Sequence, residues 1–99
     1  MGLFGIGNGR KDVIWREAED SRAKVNIAIL ESFSPQQIRE IRLKTGLSRL
    51  RFAEYMGVSV KTVEAWEIGR NHPEGPACRL LTLTRDEPNF PRRFGIIIK

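Results

Sequence analysis

At 99 residues the chain has room for one small core and an arm, because a domain this short buries only about two-thirds of the surface its unfolded chain exposes. Apolar residues at 40% and charged residues at 29% describe a globular protein, and no apolar run approaches the ~20 residues that a membrane-spanning helix needs. The net charge of +5 is unevenly placed: residues 1–33 hold five basic and five acidic groups, whereas residues 34–99 hold twelve basic and seven acidic ones, so an anionic partner is allowed and its binding surface belongs to the second part.

Residues 1–9, with Gly2, Gly5, Gly7 and Gly9, read as a flexible start. No long apolar stretch follows Leu3, Phe4 and Ile6, so no signal peptide is expected. Lys11 to Ala23 are good helix formers with a weak apolar stripe at Val13, Ile14, Trp15, Ala18 and Arg22, which predicts a helix over about 11–23. Val25, Ile27 and Ile29 then alternate with Asn26, Ala28 and Leu30, the pattern of an extended linker. Residues 1–33 are thus expected to form an N-terminal arm.

From Ser34 the local signals strengthen. Ser34-Pro35-Gln36-Gln37 supplies an N-cap serine, a proline at the first helical position and a glutamine at the capping-box position. Ile38, Ile41 and Arg42 follow at helical spacing, and Gly46 stands where a left-handed residue ends the helix. Ser48 caps a second helix, with Leu50, Phe52, Ala53 and Met56 available for packing, and Gly57 ends it. Ser59 caps a third, carrying Val63 and Trp66 and closed by Gly69. A fourth starts at Gly75-Pro76 and runs through Leu80, Leu81 and Leu83 to about Arg85, and Pro88 and Pro91 forbid its continuation. These elements set a domain over 34–88 and a tail over 89–99, in which Phe94-Gly95-Ile96-Ile97-Ile98-Lys99 reads as a short strand.

The short connection Gly57-Val58 between two serine-capped helices forces the second to cross the first steeply and to protrude, as in a helix-turn-helix. A helix that protrudes from a basic domain fits the ~12 Å major groove of DNA. Val63 and Trp66, three apart, face inward, which leaves Val60, Lys61, Thr62 and Ala65 outward near the helix start, where base contacts are made. Lys61 can donate to guanine O6/N7, Thr62 can donate or accept, and Val60 and Ala65 can touch a thymine methyl. The exposed N–H groups at the helix starts Ser48 and Ser59 can donate to phosphate oxygens. Arg70 and Asn71, just past the third helix, complete the phosphate contacts expected from position. Arg51 fits either a backbone contact or a solvated face, and Glu64 fits a cytosine contact, a repulsion of phosphate, or a pair with Lys61 or Arg70.

The string Ile41-Arg-Leu-Lys-Thr-Gly-Leu-Ser48, with Phe52-Ala53, Gly57-Val58-Ser59, Thr62-Val63, Trp66-Glu67 and Gly69-Arg70, resembles the Xre/Cro family of helix-turn-helix regulators. Pro73-Glu-Gly-Pro-Ala77 and Leu80-Leu81 resemble its HigA-type antitoxin branch, whose members are encoded beside RelE-like mRNA-cleaving toxins. The resemblance covers roughly residues 34–85. It implies an all-α, lambda-repressor-like domain of four to five helices, to which the sequence adds the N-terminal helical arm and the short C-terminal strand. It also implies a homodimer on a palindromic double-stranded operator, and a structural ion pair between Arg42 and Glu67. Where the family usually has a glutamine that binds phosphate, this chain has Arg49, which keeps that role. The tail Phe90–Lys99 has no counterpart.

The resulting expectation is a cytoplasmic repressor that is also an antitoxin and autoregulates its operon. A RelE/HigB-like toxin would be held by the arm through Val13, Trp15, Ile27, Ile29 and Leu30, and the dimer formed by Arg79, Leu80, Leu83 and the tail. The alternative is an Xre-family regulator with no toxin partner, and the neighbouring reading frame separates the two. A protein-interaction module that has lost DNA binding fits less well, since Arg49, Lys61, Thr62 and Arg70 keep the surface basic and polar. Trp66 and Cys78 read as core, and Cys78, the lone cysteine, fits a reducing compartment. His72 has no second ligand at metal spacing. No nucleophile–base pair or paired carboxylates exist to support an enzyme, and no cofactor is expected.

Overall fold

The computed structural model describes residues 15–17 and 25–98. The chain divides into two compact units, Met1–Leu30 and Glu31–Lys99. In the first, β1 (Trp15–Glu17) pairs antiparallel with β2 (Asn26–Ala28), with Trp15 opposite Ala28, Arg16 opposite Ile27 and Glu17 opposite Asn26. Trp15–Glu17 were expected inside a helix, and the strand corrects that. An isolated extended segment at 25–30 leaves its backbone groups without partners, and β1 supplies them. The rest of the expected helix, the anchor Val13 and the flexible start at 1–9 lie outside the described residues.

The second unit is all-α: α1 (Pro35–Thr45), α2 (Arg49–Met56), α3 (Val60–Ile68), α4 (Pro76–Asp86) and α5 (Phe90–Arg93). The first three helices begin on serines whose hydroxyls accept a first-turn amide: Ser34 from Gln37, Ser48 from Arg51 and Ser59 from Thr62. At Ser34 the capping box is complete, since the Gln37 side chain accepts from the Ser34 amide at 2.8 Å. Gly57 ends α2 with φ +77, a left-handed conformation that side-chain-bearing residues adopt at a cost, and its amide bonds back to α2 carbonyls.

Helix α3 packs on α1 and α2, α4 on α1, and α5 on α4. The core they enclose is Phe33, Ile38, Ile41, Phe52, Ala53, Val63, Trp66, Cys78 and Leu81. Leu50, expected to pack, is exposed, as is Leu83, while Leu81 is completely buried. Cys78 donates its Sγ–H to the Pro73 carbonyl, and burial pushes its thiol above the ordinary value.

Polar contacts between distant segments close the unit. The buried Thr84 hydroxyl donates to the Leu80 carbonyl at 2.7 Å, and the Tyr55 hydroxyl lies 2.5 Å from the same Thr84 oxygen. A hydroxyl has one proton; with Thr84's committed to Leu80, Tyr55 is the donor, and the chain Tyr55→Thr84→Leu80 ties α2 to α4. Arg85 grips Glu31 with two nitrogens, bonds Asp86, and lies over the Phe33 ring at 5.7 Å. The bonds to Glu31 and then Asp86 hold the Arg85 pKa above its ordinary value.

A C-terminal strand is expected at 94–99, and among its described residues, 94–98, none is formed. Phe90–Arg93 make α5 instead, and the amides of Ile96 and Ile97 both donate to the Pro91 carbonyl, at 2.8 and 3.0 Å. Those amides are therefore not available to a strand partner. Arg92 secures the segment by donating to the Thr45 carbonyl at the end of α1, at 3.0 Å.

Candidate nucleic-acid interface

Helix α3 begins on Ser59, two residues after Gly57 closes α2, and presents two chemically different faces. Val63 is completely buried and Trp66 nearly so, which anchors one face in the core. The other face carries Lys61 and Glu64, both exposed, and the half-buried Val60, Thr62 and Ala65. Arg70 and Asn71 follow the helix and are exposed. One short strip, basic at Lys61 and Arg70, acidic at Glu64 and otherwise polar or apolar, thus contains the four residues expected to touch bases and two of those expected to touch phosphates.

Both serine oxygens already accept an amide hydrogen bond. Ser59 Oγ accepts from the Thr62 amide at 3.1 Å and also pairs with the Thr62 hydroxyl at 2.9 Å. Ser48 Oγ accepts from the Arg51 amide at 3.2 Å. A phosphate at either helix start would meet first-turn backbone N–H groups, which have no acceptor inside their own helix, and at Ser48 the hydroxyl proton as well. Neither α2 nor α3 has an acidic residue in its first turn, so the positive end of each helix dipole is not offset by a side chain there.

At the start of α2, Arg42 donates to both oxygens of Glu67, at 2.7 and 3.2 Å, and to the Leu47 carbonyl at 3.1 Å. Arg42 and Glu67 are buried and join α1 to α3. Arg49 donates its Nε–H to the same carboxylate at 3.1 Å. The sequence predicts only a phosphate contact for Arg49, and the structure adds this bond to Glu67. Eighteen residues separate the partners, so no local spacing signals it. Arg51 donates to Glu54 at 2.8 Å on the exposed face of α2, and this bond and charge raise its pKa. Asn71 Oδ1 accepts from the His72 amide, which leaves the Asn71 amide nitrogen for a ligand. Among the described residues no group of three His, Cys, Asp or Glu side chains could hold a metal ion, and no described helix is long and apolar enough to cross a membrane.

A helix anchored by one face, entered through a tight turn and presenting polar and small apolar residues on the other is the working element of the helix-turn-helix class. Comparison with known sequences places it further. The family described as Helix-turn-helix matches residues 38–82, from within α1 to within α4. The chain is 40% identical over 57 residues to Antitoxin HigA-2 of Vibrio cholerae serotype O1 (strain ATCC 39315 / El Tor Inaba N16961), a match covering 58% of this chain and 55% of that protein. The chain thus spans about half the length of the curated relative it matches. Residues 38–82 thus match the Helix-turn-helix family, and over the 57 aligned residues the chain is similar to a protein named as an antitoxin.

Proposed function

We propose that the chain is a sequence-specific, double-stranded DNA-binding repressor, the antitoxin of a toxin–antitoxin pair that autoregulates its operon in the cytoplasm. The observation that carries this reading is the division of α3, with Val63 and Trp66 in the core, Lys61 exposed, Thr62 and Ala65 half-buried on the outer side, and Val60 half-buried against the core's edge. Lys61 and Thr62 supply hydrogen bonds to base edges, and Val60 and Ala65 supply apolar contact to thymine methyls. Arg49, Arg70, Asn71 and the amides at the helix starts Ser48 and Ser59 hold the phosphates, which fixes register without reading sequence.

Two copies would place their α3 helices in successive major grooves of a palindromic operator, about 34 Å apart. Exposed Leu83, Phe94, Ile96 and Ile98 are apolar surface that supports a contact between copies. Exposed Ile27, Ile29 and Leu30 likewise support the arm as the surface offered to a RelE/HigB-like toxin. The similarity to a protein named as an antitoxin supports the pairing.

The test is a gel-shift titration on the DNA that precedes the chain's own reading frame, against a shuffled duplex. Lys61→Ala and Thr62→Ala should each reduce discrimination by about tenfold, as expected for lost base contacts. Arg70→Ala should weaken both duplexes alike and flatten the salt dependence by about one phosphate's worth. If Lys61→Ala and Thr62→Ala leave the preference untouched, α3 is not the reading helix.

A further inference from the structure

The Glu67 carboxylate stands between a core residue and a surface one. Its side chain is 2% exposed, and it accepts from Arg42, itself buried, through both oxygens. Oε1 accepts a second guanidinium, that of Arg49, whose side chain is 46% exposed. Two guanidiniums share one carboxylate, so the cluster carries a net positive charge with Arg49 as its solvent-facing member. The bond to Glu67 uses Arg49 Nε, and a guanidinium has five N–H donors in a rigid plane. With Nε held, the four terminal N–H donors keep a restrained position and remain for a second acceptor.

We infer that Glu67 is a positioning residue for DNA: its buried carboxylate, clamped by Arg42, holds Arg49 so that the terminal nitrogens are pre-set for a backbone phosphate at the start of α2. This deepens the DNA-binding reading above and rests on it. A free arginine gives up much side-chain freedom when it grips a phosphate. An arginine already tied through Nε has lost most of that freedom before DNA arrives, and binding is stronger for it. Glu67 thereby does more than join α1 to α3: the same carboxylate that anchors the core pair sets a contact outside it. Because the contact is to phosphate, the effect falls on all duplexes equally.

Charge counting and positioning predict opposite signs. Glu67→Gln removes a negative charge from a DNA-binding domain, which by charge alone tightens binding; loss of positioning weakens it. In the full chain, with a fluorescein-labelled mixed-sequence duplex read by anisotropy, Glu67→Gln should weaken binding by about tenfold, the scale of a charge-assisted contact. In an Arg49→Ala background the same change should move affinity by less than about twofold, since the group being positioned is gone. Tighter or unchanged binding by Glu67→Gln, or an equal loss in both backgrounds, overturns the inference. Where circular dichroism shows Glu67→Gln unfolded, nitrogen relaxation of the arginine Nε–H groups in the unaltered free chain decides. Arg49 as rigid as Arg42 supports positioning, and Arg49 as mobile as Arg70 overturns it. If the unaltered chain binds no duplex, the DNA-binding reading itself fails and this inference with it, whereas duplex binding with additive variants removes the inference alone.

Discussion

The pair α2–α3 and the pair α4–α5 are held in different ways. Helices α2 and α3 each start on a serine that caps its own first turn and end on a left-handed glycine, so their ends are specified by residues within a few positions. Helix α4 starts at Gly75-Pro76 with no side-chain cap and ends at Glu87 without a glycine, and α5 has no side-chain cap either. What holds the second pair comes from far along the chain: Tyr55 to Thr84, Glu31 to Arg85, and Thr45 to Arg92. Local capping gives α2 and α3 fixed ends independent of the rest of the fold, which suits elements whose outer face must be held in register. Long-range contacts make the C-terminal helices a brace whose geometry depends on the core already being in place.

The largest expected effect tests how far local capping can go alone. Trp66 is nearly buried and joins α3 to the shared core. Trp66→Ala should cost about 3–5 kcal/mol by urea denaturation, the range for a large aromatic removed from a core. Caps contribute about 1 kcal/mol each, so they cannot offset that loss, and duplex binding should fall with the folded fraction. A loss under about 1 kcal/mol would mean that α3 is set by its caps and not by packing, against the magnitudes just given.

The same contrast explains what could be read from the residues in order. Ser34, Ser48 and Ser59 with Gly46, Gly57 and Gly69 marked the helix ends because each partner lies within the same turn. The outward face of α3 followed from the three-residue spacing of Val63 and Trp66, both of which are buried. The Arg42–Glu67 bond spans 25 residues and came from family resemblance. The bonds Arg49–Glu67, Arg92–Thr45 and Glu31–Arg85 span 18, 47 and 54 residues and left no periodic trace. Two local readings failed where a partner decided the outcome. Trp15–Glu17 sit among good helix formers, yet pair with Asn26–Ala28. Ile96 and Ile97 have strand propensity, yet their amides are taken by Pro91 at the end of a short helix.

A smaller effect sharpens the contrast. Ser59→Ala removes the oxygen that accepts the Thr62 amide and pairs with the Thr62 hydroxyl. The expected loss is about 1 kcal/mol. Amide hydrogen exchange should show where it falls: faster exchange in the first turn of α3, with α4 amides changed only by the common loss of global stability. If α4 amides were selectively deprotected instead, the two pairs would be coupled as one unit and the distinction drawn here would be void.

The smallest effect probes the brace. Tyr55→Phe deletes the donor to Thr84, but Thr84 keeps its bond to the Leu80 carbonyl, so no buried donor loses its acceptor and the cost should lie near ~0.5 kcal/mol. The pH dependence is more telling. Burial pushes the Tyr55 phenol above its ordinary 10.0. In the unfolded chain the proton leaves near the ordinary value, and in the folded chain later. The contribution to stability is therefore complete below about pH 10 and is lost as pH rises from there through the raised folded value. Tyr55 is the only tyrosine in the chain, so an ultraviolet absorbance titration of phenolate follows this residue alone. The native midpoint should lie above the urea-unfolded one, and the stability deficit of Tyr55→Phe should shrink above pH ~10. A native midpoint at or below the unfolded value would mean that the Tyr55 phenol is not buried in solution, leaving α4 to be held by the core and Arg85.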